Sequence, residues 1–131
     1  MPLRLTSAAS RDARDARAAA VAEFLGAKGS LRVHEAILCV LYWLDRETPG
    51  PVRAGEIALL YPHHDGRRLP SAAQELRHHV ERGLAESLGE GLYRITPLGR
   101  LVVDALPDRV EVARLRGLRR ATPRGVERGA W

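Results

Sequence analysis

Residues 69–106 read LPSAAQELRHHVERGLAESLGEGLYRITPLGRLVVDAL, and this stretch predicts a helix, a β-hairpin and a second helix in that order. The first helix starts near Pro70 and Ser71, and it stops at Gly83, a residue that suits a left-handed C-cap. Its inward positions at helical spacing are Ala73, Leu76 and Val80. The helix therefore has a defined end from which the hairpin begins.

The hairpin and the helix after it follow from local sequence. Residues 88–91 have turn chemistry, and alternation in residues 92–95 places Tyr93 and Ile95 on one face of a strand. Thr96 suits an N-cap, and Pro97 fits the first helical turn because no amide hydrogen is needed there. The apolar stripe predicted for this helix is Leu98, Leu101, Val102 and Ala105.

Two short motifs in this stretch resemble the MarR-like branch of winged-helix transcription regulators. They are Arg82-Gly83-Leu84 and the segment from Tyr93 to Gly99, with sequence YRITPLG. The resemblance covers roughly residues 30–106. It implies a mainly α fold with a small β-hairpin (α+β), a winged helix-turn-helix. The residue pattern adds an extra N-terminal helix in 1–29 and a basic tail in 107–131.

The sequence before residue 69 predicts three further helices. The first spans Ser10 to Leu25 with Ser10 as its cap, and glycines 26 and 29 break it. The second is capped by Ser30 and runs to about residue 47, and after a turn Val52 adds a very short strand beside the hairpin. The third spans about residues 54–61 and buries Ile57 and Leu60, and an exposed loop follows at 62–68.

The second helix is apolar all round in its middle, residues 36–44. One partner surface cannot bury such a helix, so something must cover its back. The N-terminal helix could do so through Phe24 and Leu25, or a second subunit could. Because terminal helices mediate dimerisation in many MarR-like proteins, the resemblance implies a homodimer.

Charge is distributed unevenly along the chain. The net charge is +5 in total, with +2 in residues 1–29, −1 in 30–106 and +4 in 107–131. The basic tail could form one short helix through Val112, Leu115 and Leu118, but Pro123 and Gly125 favour a loose end. A basic balance favours a nucleic-acid partner, although the central segment is nearly neutral.

The resemblance implies double-stranded DNA as the partner, with residues 70–82 as recognition helix in the major groove. Gln74 could read adenine, Arg77 guanine or phosphate, and Ser71 a phosphate near the helix start. The remaining candidates are Arg67 and Arg68 for the DNA backbone, Arg94 for phosphate, and His78 on the outward side. Ordinary solvated polar positions account for these residues equally well.

The hairpin tip argues for a second function. Its sequence is Gly89-Glu90-Gly91, and phosphate would repel Glu90 where minor-groove wings commonly offer Arg or Lys. DNA contact would then depend on the helix and tails. The alternative is a winged helix used for protein association within a larger assembly.

Other functions lack a supporting pattern. The lone Cys39 lies in the apolar run, which predicts a buried structural thiol. The pairs His63-His64 and His78-His79 have no nearby cysteine, so neither a metal nor another cofactor is expected. No catalytic motif occurs, and no segment is apolar enough to cross a bilayer or to act as a signal peptide. We expect a cytoplasmic protein that is not an enzyme.

Overall fold

The computed structural model describes residues 2–61 and 72–121, which form a mainly helical α+β fold with one small antiparallel sheet. The helices are α1 (Pro2–Lys28), α2 (Val33–Glu47), α3 (Ala54–Leu60), α4 (Ala72–Glu81), α5 (Pro97–Ala105) and α6 (Arg109–Ala121). The strands are β1 (Val52–Arg53), β2 (Ala85–Gly89) and β3 (Leu92–Ile95). Within the described residues, no helix is long and apolar enough to cross a membrane.

The first helix is longer than the sequence predicted. It begins at Pro2 rather than at Ser10, so Ser10 lies inside the helix and does not cap it. At the other end Gly26 is helical, and the helix closes before Gly29, whose φ is +92°. The alanine-rich composition keeps helix propensity high, and one glycine is too small a penalty to stop the helix.

Helix α1 covers the back of α2, which is the first of the two alternatives that the sequence left open. Val21 and Leu25 are buried in the common core, and the Phe24 ring stacks on Tyr42 with centroids 6.0 Å apart. The apolar middle of α2 is therefore buried within a single chain.

Helix α2 begins at Val33, so the prediction that Ser30 caps it was wrong. The Glu35 side chain turns back and accepts a hydrogen bond from the Arg32 amide at 2.7 Å. Ser30 lies before the helix, where its carbonyl accepts a hydrogen bond from Arg109. A glutamate in the first turn thus satisfies an orphan amide that the serine was expected to satisfy.

The strands form a sheet in the order β1-β3-β2, which confirms the hairpin and the short strand beside it. Val52 pairs with Tyr93, and Ala85 pairs with Ile95. Tyr93 and Ile95 both point into the core, as the alternation predicted. The turn uses three successive residues with positive φ at 89–91, where two glycines carry the conformation at no steric cost.

A compact joint connects the end of α4 to the start of α5. Gly83, at φ +80°, and Leu84 donate back to the carbonyls of Val80 and His79, which is the hydrogen-bond pattern of a Schellman motif. The Thr96 hydroxyl donates to the Gly83 carbonyl at 2.6 Å and accepts from the Gly99 amide at 3.0 Å. The predicted cap at Thr96 is confirmed, and it also ties the two helices together.

The buried face of α5 differs from the predicted stripe. Leu101 is 51% exposed, whereas Val103 is fully buried beside Val102. The reason is the close approach of Gly99 to the Leu84 carbonyl, which centres the inward face on residues 99, 102 and 103. After α5, residues 109–121 of the basic tail form the 13-residue helix α6, which buries Leu115 and partly buries Val112. The loose end expected at Pro123 and Gly125 lies outside the described residues.

Candidate nucleic-acid interface

Helix α4 packs against α2, α3 and β2, and its inward face differs by a small rotation from the predicted one. Ala72, Leu76 and His79 are buried, while Ala73 and Val80 are only partly buried. Ala72 therefore takes the inward position that was predicted for Ala73. The inward face follows the spacing i, i+4, i+7, because the side chain at 79 enters the core.

His79 anchors α4 on α2. Its side chain is 1% exposed, and its Nε2 lies 2.8 Å from the His34 carbonyl oxygen. Burial lowers the pKa of His79 to about 4, and the nearby positive charge of Arg82 also lowers it. The imidazole is therefore neutral near pH 7 and acts as a polar core residue.

The outer face of α4 holds three of the predicted DNA-binding residues. Gln74 and Arg77 are exposed, and His78 is half-buried. His78 Nδ1 lies 4.0 Å from a carboxylate oxygen of Glu75, one turn earlier on the helix. The face thus offers an amide, a guanidinium and an imidazole, with two carboxylates, Glu75 and Glu81, that reduce its positive charge.

Three other predicted residues, Arg67, Arg68 and Ser71, lie outside the described residues. The same is true of His63 and His64, the first of the two histidine pairs. Among the part of the chain that is described, no group of three metal-ligating side chains occurs.

Arg94, the predicted phosphate contact of the hairpin, lies against a buried carboxylate. Its Nε is 3.4 Å from Asp45 Oδ1, and Arg100 Nη2 is 2.8 Å from Asp45 Oδ2. Asp45 thereby connects α2 to the hairpin and to α5, and it offsets part of the charge that Arg94 would offer to phosphate. A buried carboxylate without such partners would be costly.

Arg53 is a cation that the sequence prediction missed. It pairs with Leu92 at the end of β1, and its Nη1 donates to the Glu90 carbonyl at 2.9 Å. A guanidinium therefore lies at the hairpin turn, where sequence alone placed only an acid. The short strand expected at Val52 could have located Arg53. In an antiparallel pair, the residue that follows Val52 on β1 lies closer to the hairpin turn.

Cys39 has the environment of a structural thiol. It is fully buried, and burial raises the pKa of its thiol to about 12. The thiol is protonated at neutral pH, which confirms the predicted buried cysteine.

Comparison with known proteins gives no match to this chain: no family model, no curated protein and no solved structure is significantly similar to it.

Proposed function

We propose that this protein is a winged helix-turn-helix, similar to the MarR-like regulators, that binds double-stranded DNA as a small transcription regulator. The order α2-β1-α3-α4-β2-β3, with β1 completing the sheet beside the hairpin, is the observation that carries the proposal. It is the element order of a winged helix, in which the helix before the hairpin enters the major groove.

Helix α4 is the recognition helix of this proposal. Gln74 and Arg77 lie on its exposed face and suit the edges of adenine and guanine. His78 contributes from the same face. Arg53 at the hairpin turn supplies a phosphate contact that the acidic Glu90 cannot supply. Arg94 contributes less to phosphate binding, because Asp45 neutralises part of its charge.

Arg77→Ala tests the assignment of α4. We expect the affinity for a random-sequence duplex at low salt to fall about tenfold, the loss typical of one good arginine contact. Fluorescence anisotropy at two salt concentrations measures it, and binding should weaken steeply with salt because arginines release counterions from phosphate.

Arg114→Ala is the matched control, because it removes the same charge from α6, where Arg114 pairs with Glu111 one turn away. If the two variants lose equal affinity for DNA, binding depends on net charge alone, and a recognition role for α4 is contradicted. A shallow salt dependence would remove the phosphate mechanism.

The proposal includes a homodimer in the cytoplasm. Most of the apolar middle of α2 is buried without a second subunit, so the dimer is supported instead by apolar side chains exposed on α5 and α6. Val110 on α6 is 83% exposed, and Leu101 on α5 is half-exposed. Light scattering at micromolar concentration should give twice the mass of one chain, and a monomeric mass would contradict the dimer.

Protein association is the second candidate function. Leu59 on α3 is 62% exposed and Leu88 in the hairpin is 49% exposed, which suits an apolar partner better than phosphate. A folded protein that fails to bind duplex DNA at low salt would favour this function.

A further inference from the structure

A cavity of about 190 Å³ lies where the start of α2, the end of α4, α5 and α6 meet. Four buried aliphatic side chains in its lining form what we call the floor, and they are Leu38, Leu84, Val102 and Leu106. The volume is somewhat larger than the roughly 150 Å³ of an apolar cavity that admits benzene. It suits a small molecule with an apolar part rather than a nucleotide or a peptide.

The exposed part of the lining is cationic. Arg32 and Arg82 line the cavity and are exposed, so they lie on its open side, which we call the mouth. Their charges act on one lining residue, the half-buried His34. Burial lowers the pKa of His34, the carboxylates of Glu35 and Glu75 oppose this shift, and the positive charges of Arg82 and Arg32 lower the pKa further. The two guanidinium groups therefore share the side of the cavity on which His34 lies.

The charges at the mouth are not cancelled by an ion pair. Arg109, another lining arginine, is bound to Glu35 at 2.6 and 3.2 Å, so these two charges offset each other. Arg116 also lines the cavity, but it already has an interaction of its own. None of the ion pairs between described residues involves Arg32 or Arg82. The mouth therefore favours an anion, and guanidinium groups bind carboxylates through paired hydrogen bonds.

We propose that this cavity binds a short straight-chain fatty acid of about six carbons. Its carboxylate lies at the mouth, on Arg32 and Arg82, and its alkyl chain lies on the floor. The site is formed within one chain and requires no DNA, so a failure of the proposed regulatory function would leave it intact.

The lining disfavours other small molecules. A simple anion such as phosphate has no apolar group to place on the floor, and an alkyl amine would bring a like charge to the two guanidinium groups. The Glu35 carboxylate in the lining opposes a dianion such as an alkyl phosphate. No Phe, Tyr or Trp of the described chain lines the cavity, so an aromatic acid finds no such ring to stack on, whereas a flexible chain can follow a lining drawn from several elements.

Four probes test the two halves of the site: hexanoate, hexan-1-ol, acetate and benzoate. NMR titration of the full chain without DNA, at constant ionic strength, measures their affinities. Hexanoate should bind at least tenfold more tightly than hexan-1-ol, which has the chain without the charge, and than acetate, which has the charge without the chain. Benzoate should bind more weakly than hexanoate.

Each comparison can overturn one part of the proposal. Equal affinity for hexan-1-ol would overturn the role of the arginines, and equal affinity for acetate would overturn the role of the floor. Benzoate that binds as tightly as hexanoate would overturn the aliphatic assignment. No binding of hexanoate by the folded protein would overturn the site.

Arg82→Gln tests the mouth. It should weaken binding of hexanoate about tenfold and leave the affinity for hexan-1-ol unchanged, because only the fatty acid carries a charge. The matched control is Arg114→Gln, which removes the same charge from an exposed position of α6 that does not line the cavity. Equal losses of hexanoate affinity in the two variants would overturn the contact with Arg82.

Ala113→Phe tests whether the molecule enters the cavity. Ala113 lines the cavity from α6 and is exposed, so a larger side chain there can fill the space while the core stays intact. Hexanoate and hexan-1-ol should both bind at least tenfold more weakly. Ala19→Phe, the same change at an exposed position of α1 outside the lining, should leave both affinities unchanged. Wild-type affinity in the Ala113 variant would overturn the location.

The His34 imidazole gives a readout that needs no mutation. A carboxylate bound at the mouth would offset the positive charges of Arg32 and Arg82, so hexanoate should raise the pKa of His34, whereas hexan-1-ol should not. Proton NMR of the imidazole as a function of pH measures the pKa. A His34 pKa that hexanoate leaves unchanged would overturn the placement of the carboxylate at the mouth.

Discussion

Replacing Gly99 with alanine should lower the free energy of unfolding by about 3 kcal/mol, the upper end for overpacking a core. A Cβ at this position would overlap the Leu84 carbonyl oxygen and lie 2.7 Å from Cγ1 of Ile95. The obstructing atom is backbone that also accepts the Thr96 amide, so it cannot move without disturbing the joint between α4 and α5. Urea denaturation measures the change.

Gly117→Ala is the matched control. Gly117 lies inside α6, and an added Cβ there meets nothing within 4 Å, so the gain in helix propensity should stabilise the protein by up to about 1 kcal/mol. A Gly99→Ala protein as stable as the wild type would contradict the close packing of α5 on Leu84, the residue just before β2.

Acid should destabilise the protein through His79. The pKa of His79 is about 4 in the folded state, below its ordinary value of 6.5. Between these values the unfolded chain binds a proton that the folded chain does not, so stability falls as pH falls. The loss is complete below the folded pKa, and it amounts to about 3 kcal/mol for a shift of this size. Denaturation curves from pH 7 to pH 4 measure it.

His79→Leu isolates this contribution from other groups. The pKa of His34 is also lowered by burial and adds to the acid loss, whereas the lowered pKa of Glu35 adds a loss that begins only as pH approaches its ordinary value of 4.5. The leucine variant should lose less stability than the wild type over the same pH range, because it has no imidazole to protonate. Parallel pH profiles for the two proteins would contradict a neutral, buried His79.

Local sequence predicted the hairpin and the helix after it well, because each feature there is determined by neighbouring residues. Thr96 caps the helix that directly follows it, and alternation over four residues is enough to place Tyr93 and Ile95 on one face. Gly83 likewise ends α4 through hydrogen bonds to carbonyls within one turn. Such interactions can be inferred without the tertiary structure.

The wrong cap prediction for α2 depends on a contact between distant residues. Glu35 begins α2 while it also pairs with Arg109, 74 residues later, and sequence spacing gives no sign of that partner. The Arg94 contact with Asp45 and the hydrogen bond of His79 to α2 likewise join residues far apart in sequence. The candidate site was predicted from the recognition helix, the loop before it and the hairpin, so Arg53, which lies on β1, was missed.

NMR titration of the full chain with a random-sequence duplex at low salt is the most direct test of the proposed DNA-binding surface. We predict that the largest amide shift changes fall on the outer face of α4, at Gln74 and Arg77, and at the hairpin turn in residues 89–91. Spectra of a folded protein that do not change, or changes confined to α1 and α6, would contradict the proposal that α4 contacts DNA.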